Sequence, residues 1–176
     1  NEALTTGAVA ARAKAALPTA VVHVYDNNSS DDTAKIARAA GAVVANERYQ
    51  GKGSVVRRMF ADVDADIYVM VDGDNTYDLE AAPVLVAMMR EQSLDFVNGS
   101  GIGTHADAYL AGHRLGNRMF SGLVQWIFGY RFSDMLSGYK IFSRRFVKSF
   151  PAESEGFEIE TELTIHALEL RMPCVE

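Results

Sequence analysis

Cysteine is almost missing from this chain, with Cys174 the single one among 176 residues. One thiol excludes an internal disulfide and a structural zinc site built on several thiolates, and it fits a reducing compartment. Positive charge is the minority sign, 17 Lys and Arg against 23 Asp and Glu for a net charge of -6. A surface built to follow a phosphate backbone is therefore not expected, which argues against nucleic acid as a partner. No apolar run approaches the roughly 20 residues needed to cross a bilayer, and the start lacks the pattern of a secretory leader. Repeats, low-complexity tracts and clear linkers are absent too. What is present, 48% hydrophobic and 23% charged residues, suits one soluble domain with a real core, and a cytoplasmic location is expected.

The pattern along the chain alternates. Ala8 to Ala16 is alanine-rich and stops before Pro18, which predicts a helix. Ala20 to Tyr25 is a short β-branched run of the kind buried in a parallel sheet. It ends in Asp26-Asn27-Asn28-Ser29-Ser30, residues that favour turns and helix caps, with Ser30 or Asp31 expected to cap the helix that follows. Asp31 to Ala40 resumes helical spacing and Gly41 closes it. Ala42 to Asn46 reads as a strand, and Gln50-Gly51-Lys52-Gly53 as a basic turn. Ser54 to Val63 is a helix with Val55, Met59 and Phe60 on its apolar face. Ile67 to Val71 is the clearest strand, Leu79 to Glu91 a helix and Asp95 to Asn98 a strand. Gly99 to His113 reads as a long loop. Arg114 to Phe128 follows as a helix whose apolar side, Trp126 included, is expected in the core. Ser133 to Phe142 reads as a turn and strand, Ser143 to Ser149 and Phe157 to Leu170 as helices, and Cys174 onward as the start of a strand. Such alternation predicts an α/β fold with a mostly parallel central sheet flanked by helices. Ligands of such folds sit at the carboxyl ends of the strands, so Asp26 to Ser30 and Asp72 to Thr76 should share one rim.

Three clusters carry chemistry. Asp72-Gly73-Asp74 sets two carboxylates at a strand end, with a glycine between that lets a ligand approach the backbone. Hard oxygen ligands of this kind suit Mg²⁺ or Mn²⁺, which take their remaining partners from substrate phosphates. The same tripeptide is also ordinary turn chemistry, and its place at the strand end is what favours a site. Asp26 could accept N–H groups of a uracil or guanine. Lys52 between glycines could meet a diphosphate, although solvated loop lysines are commoner. Glu158, Glu160 and Glu162 fit an exposed acidic turn at a helix start. His23, His105, His113 and His166 lack the spacing of metal ligands.

Together these residues resemble the family 2 glycosyltransferases of GT-A fold, and within them the dolichyl- or polyprenyl-phosphate sugar transferases. Asn1-Glu2 is similar to the end of a Tyr-Asn-Glu that follows the family's first strand. Tyr25 to Thr33 resembles the stretch that contacts the base, with Asn27 in place of its second Asp, so either Asp26 or Asn27 meets the base. Gly51-Lys52-Gly53 resembles the glycine-lysine turn and Asp72-Gly73-Asp74 the metal motif, while Thr76 stands where some relatives carry a Gln. Arg114 to Arg118 and Asp134-Met135-Leu136-Ser137-Gly138-Tyr139-Lys140 resemble acceptor-side segments, the last position being Lys140 where Arg is frequent. Phe157 to Leu163 resembles a Phe-Glu-(Ile/Phe)-x-Thr-Glu-Leu helix.

The resemblance implies one catalytic domain over residues 1–176, lacking its first strand and its C-terminal end. It implies inverting transfer from a UDP- or GDP-sugar, with Glu2, Asp26, Asn27, Lys52, Asp72 and Gly73 at the nucleotide and Asp72 and Asp74 on a Mg²⁺ or Mn²⁺. Asp74 and Asp134 would be catalytic. Arg114, Arg118, Arg131, Ser137 and Lys140 would hold the acceptor, a polyprenyl phosphate or another phosphate or hydroxyl. Such an acceptor implies work at the cytoplasmic face of a membrane, with association through segments outside this sequence. A sugar-1-phosphate nucleotidyltransferase and a silent nucleotide-sugar-binding domain are the alternatives.

Overall fold

The structure is a computed structural model that describes residues 1–99, 122, 124–129 and 132–176. Helix α1 (Thr6–Ala16) is followed by strand β1 (His23–Asp26), helix α2 (Thr33–Ala39) and strand β2 (Val43–Asn46). Strands β1 and β2 pair in parallel, with His23 opposite Val43 and Asp26 opposite Asn46. Gly41, at φ +85°, ends α2 as expected: its N–H bonds the Arg38 carbonyl and that of Ala42 the Ala37 carbonyl, satisfying the last turn. The strand expected over Ala20 to Tyr25 begins three residues later and runs one residue further, to Asp26, over the stretch that pairs with β2.

Helix α3 (Lys52–Asp62), strand β3 (Ile67–Met70), a 3-10 turn (Leu79–Ala81), helix α4 (Ala82–Glu91) and strand β4 (Phe96–Asn98) follow. After them come strand β5 (Lys140–Ser143), helix α5 (Arg144–Ser149), helix α6 (Ile159–Glu169) and strand β6 (Cys174–Val175). The second sheet has the order β3-β5-β4-β6. Strand β5 runs antiparallel to both neighbours while β4 and β6 run parallel, so the α/β sheet is mixed around one reversed strand. Ser143 ends β5 and starts α5, its hydroxyl oxygen accepting the Phe146 N–H at 3.1 Å.

Alternation along the strands divides the core into two layers. Met70, Phe96 and Phe142 face α3, α5 and α6, where they meet Val56, Phe60, Phe146, Phe150, Ile159 and Leu163. Val97 and Ile141 face the other way, with Ile67 and Val69, against Leu85, Val86, Met88 and Met89 around α4. Rings dominate the first layer, Phe142 lying 4.8 Å from Phe146 and 5.5 Å from Phe60 between centroids. Two expectations change. The buried stripe of α3 runs through Gly53, Val56 and Phe60, with Val55 only half-buried, because a loop pressed on Gly53 sets the rotation of the helix. Trp126 is 83% exposed while Val124 is buried, since residues two apart on a helix point about 200° apart. Among the described residues, no helix is long and apolar enough to cross a membrane.

Candidate active site

Strand β3 ends at Met70 and releases Asp72 beside the first residue of α3. The Lys52 ammonium lies 2.7 and 3.0 Å from the two oxygens of Asp72 and also donates to Glu160 Oε1. Burial works against the Lys52 charge, yet Asp72 and Glu160 outweigh it and hold the amine above its ordinary range. The Glu160 carboxyl is pushed up by burial, with Lys52 opposing. Gly138 closes the other side, so tightly that a Cβ there would overlap the Asp72 carboxylate. The Tyr77 hydroxyl accepts the Gly138 N–H at 2.7 Å, and burial pushes that phenol up.

The turn carrying Gly138 is fastened along its length. Glu176 accepts the N–H groups of Ser133 and Asp134 at 2.7 and 2.9 Å, and Asn98 donates to the Asp134 carbonyl at 2.7 Å. Asp134 Oδ1 accepts the Leu136 N–H at 3.2 Å. Buried Ser137 donates through its hydroxyl to the Gly99 carbonyl and accepts the Tyr139 N–H. Lys140 is fully buried, its ammonium donating to Asn98 Oδ1 at 2.6 Å and the Met135 carbonyl at 3.2 Å. That amine faces the interior and is not offered to an acceptor here, contrary to the expectation for Lys140. Ser137 likewise spends its hydroxyl on the turn.

Gly73 and Asp74 lie toward solvent. Asp74 Oδ1 accepts the N–H and hydroxyl of Thr76 at 3.1 and 2.7 Å, a local turn that leaves the residue exposed. The N-terminal segment joins this loop to the Asp26 cluster. Thr5 donates its hydroxyl to the Gly73 carbonyl at 2.7 Å, and the Glu2 N–H donates to Thr33 Oγ1 at 2.8 Å. The Glu2 side chain packs toward Gly73, with a carboxylate oxygen 3.0 Å from the Thr5 hydroxyl oxygen.

Asp26 and Asn27 separate sharply. Asn27 donates to the carbonyls of Glu47 and Tyr49 and accepts the Gly51 N–H at 2.8 Å, so its amide holds the loop leading to Lys52. Asp26 is 7% exposed; its Oδ2 accepts the Ser29 N–H, and its Oδ1 is buried with no partner. A buried carboxylate oxygen left unpaired is costly, which marks it as a place where a ligand N–H would be welcome. Asp31, not Ser30, accepts an amide at the start of α2, that of Thr33 at 3.1 Å, while Asp32 in the cap position makes no side-chain bond of this kind.

Residues 2–150 match the model of the family "Glycosyl transferase family 2". The chain belongs to that family. Glycosyltransferase AglJ of Haloferax volcanii is 33% identical over 145 residues, 82% of this chain and 48% of that protein. The dolichyl-phosphate hexose transferase of the same organism is 28% identical over 135 residues, 76% of this chain and 59% of its own length. This family 2 chain thus spans about half the length of the first and under two thirds of the second. The crystal structure of Mycobacterium tuberculosis glucosyl-3-phosphoglycerate synthase superposes with a TM-score of 0.79 at 24% identity, over 97% of this chain and 63% of that one. The fold is therefore the GT-A fold that the resemblance implied. That mycobacterial enzyme has also been solved with Mn²⁺, uridine-diphosphate-glucose and phosphoglyceric acid.

The structure brings Lys52, Asp72, Gly138 and Glu160 into contact, and it ties Glu2 and Gly73 to the same loop system. Arg114, Arg118 and Arg131 lie outside the described residues. Glu160 is the residue that sequence reasoning passed over. Its trio divides: Glu160 is buried on Lys52, Glu162 accepts the N–H groups of Glu153 and Ser154 at 2.9 Å, and Glu158 accepts that of Gly156 at 3.2 Å. Spacing by two residues on a helix already sends neighbours to different sides, and that signal was available. Among the described residues, no group of three or more His, Cys, Asp or Glu could hold a metal ion unaided. Asp72, half-buried, and Asp74, exposed, carry hard oxygen donors of the kind that Mg²⁺ or Mn²⁺ takes.

Proposed function

We propose that this chain transfers a sugar from a UDP- or GDP-sugar to a polyprenyl or dolichyl phosphate, inverting the anomeric centre. The unpaired, buried Asp26 Oδ1 at the end of β1 is the observation that carries the reading. It offers an acceptor to the N–H edge of a nucleobase, while Asn27 is spent on the loop. Asp72 and Asp74 would hold Mg²⁺ or Mn²⁺, and the bound cation supplies charge stabilisation for the departing nucleoside diphosphate. Lys52 adds a positive charge beside that point. Glu2 and Gly73 line the nucleotide side.

In the reaction an acceptor oxygen bonds to the anomeric carbon as the bond from that carbon to the diphosphate oxygen breaks, its electron pair leaving with the diphosphate. A lipid monophosphate with a second pKa of about 6 arrives ionised, so no strong base is needed. Asp134, on the turn packed against Asp72, orients the acceptor, or takes its proton should the acceptor be a hydroxyl. Ser137 shapes that turn, and Arg114, Arg118 and Arg131 are proposed to meet the acceptor phosphate. The likeness to the dolichyl-phosphate hexose transferase supports the choice of acceptor. Lipid phosphate places the reaction at a membrane surface.

The test is transfer from a panel of UDP- and GDP-sugars to polyprenyl phosphate with Mn²⁺. Asp74→Asn should lower turnover by at least ~100-fold, in line with losing an electrostatic stabiliser of the transition state, with an unchanged circular dichroism spectrum. Undiminished turnover in that variant, or pyrophosphorolysis in place of transfer, would defeat the reading.

A further inference from the structure

Lys52 is shared between two carboxylates of unequal access. Asp72 is 34% exposed at its side chain and Glu160 only 7%. A cation arriving from solvent therefore reaches Asp72 and not Glu160. The ammonium already on Asp72 occupies the charge that such a cation needs, and one positive charge beside a divalent ion is repelled strongly in a half-buried site. Lys52 must yield, and Glu160 is the partner it already has.

The scaffold around this pair holds the two helix starts at a fixed distance. The loop between α5 and α6 lies across the first turn of α3, where the Glu155 carbonyl accepts the Gly53 N–H at 2.9 Å and the Gly156 carbonyl accepts it at 3.1 Å. Arg57 donates from α3 to the carbonyls of Ala152 and Glu153 at 2.9 and 3.2 Å, and Glu162 of α6 holds the same loop by its N–H groups. Lys52 stands on the helix thus clamped and Glu160 on the helix that clamps it. The Lys52 ammonium touches the carboxylates of Asp72 and Glu160 at once, so giving up Asp72 leaves it a partner already in place.

We propose that Lys52 is a transferable counter-ion for Asp72, and that Glu160 is the positioning residue that receives it when a divalent cation binds. The inference rests on the reading of Asp72 as a cation ligand. Glu160 then acts through Lys52, lowering the cost of freeing Asp72.

Mn²⁺ binding, read by electron paramagnetic resonance with and without UDP, tests this through a double-mutant cycle. Glu160→Gln keeps the shape and removes the charge; it should weaken Mn²⁺ binding by about tenfold, because Lys52 is left with Asp72 alone. Lys52→Gln should tighten Mn²⁺ binding in the absence of UDP, a gain that misfolding cannot produce. In the Lys52→Gln background the added Glu160→Gln change should have at most about a third of its single effect, since the residue it acts through is gone. Equal losses in both backgrounds would make Glu160 a mere distant charge, and weaker Mn²⁺ binding by Lys52→Gln would remove the counter-ion role; either overturns the proposal. A wild-type protein that binds no Mn²⁺, with or without UDP, sinks the functional reading and this inference with it, whereas wild-type binding without coupling sinks the inference alone.

Discussion

Lys140 shows how one residue can carry the right charge for a site and stand in another place. Burial pushes its amine down to about 8 from 10.5, with Glu160 and Asp134 opposing. A lysine whose folded pKa is depressed binds its proton more weakly in the native state than in the unfolded one. Between pH 8 and 10.5 the unfolded chain therefore holds more protons at this position, and stability linked to Lys140 rises with pH across that window. Urea unfolding of the wild type and of Lys140→Met isolates this contribution, because the other titrating groups are common to both. The wild-type advantage should grow by about 3 kcal/mol from the bottom to the top of the window. A difference flat in pH would contradict the buried, titrating amine. The sequence shows a basic residue in a turn-strand motif; burial, which alone decides its role, is set by Asn98 and Phe96 from a distant strand.

At the scale of elements, the Gly51-Lys52-Gly53 turn was legible as a place of close approach, but the approaching group was not. The two glycines admit backbone carbonyls of the loop between α5 and α6, since a Cβ at Gly51 would strike the Glu155 carbonyl and one at Gly53 that of Ser154. The carbonyls, and not a diphosphate, take the Gly53 N–H. Gly53→Ala should thus cost about 2 kcal/mol in chemical denaturation, as overpacking against backbone does. Gly122→Ala, where a Cβ meets none of the described residues within 4 Å, is the control and should be neutral or slightly stabilising. Equal behaviour of the two variants would show that the contact has no energetic weight. Helix α3 starts at Lys52 for the same reason, earlier than its apolar pattern suggests.

For the whole molecule, strand β5 is decisive. By running between β3 and β4 it carries the turn at 133–138 from far along the chain onto Asp72. The site is then assembled from α3, β3, that turn and α6, with the Asp26 cluster joined through Glu2 and Thr5. A ligand spanning such parts should stabilise the fold as a unit. UDP with Mn²⁺ at a hundredfold excess over its dissociation constant should add about 2.7 kcal/mol, a melting shift of roughly 5–10 °C for a chain of this size. Differential scanning fluorimetry checks it, and an unchanged midpoint would count against a shared nucleotide site.

The alternation of short β-branched runs with helical spacing was enough to establish the α/β class, because periodicity is a local property of the chain. Local chemistry likewise placed Asp72-Gly73-Asp74 after a strand and Asp26 at the end of another, and ordered motifs identified the family. Three choices needed the tertiary structure. It left one oxygen of Asp26 unpaired while spending the amide of Asn27 on a loop, buried Lys140, and drew Glu160 out of an acidic turn onto Lys52. Each depends on contact between residues far apart in the chain, and such contact is decided by packing that no local pattern encodes.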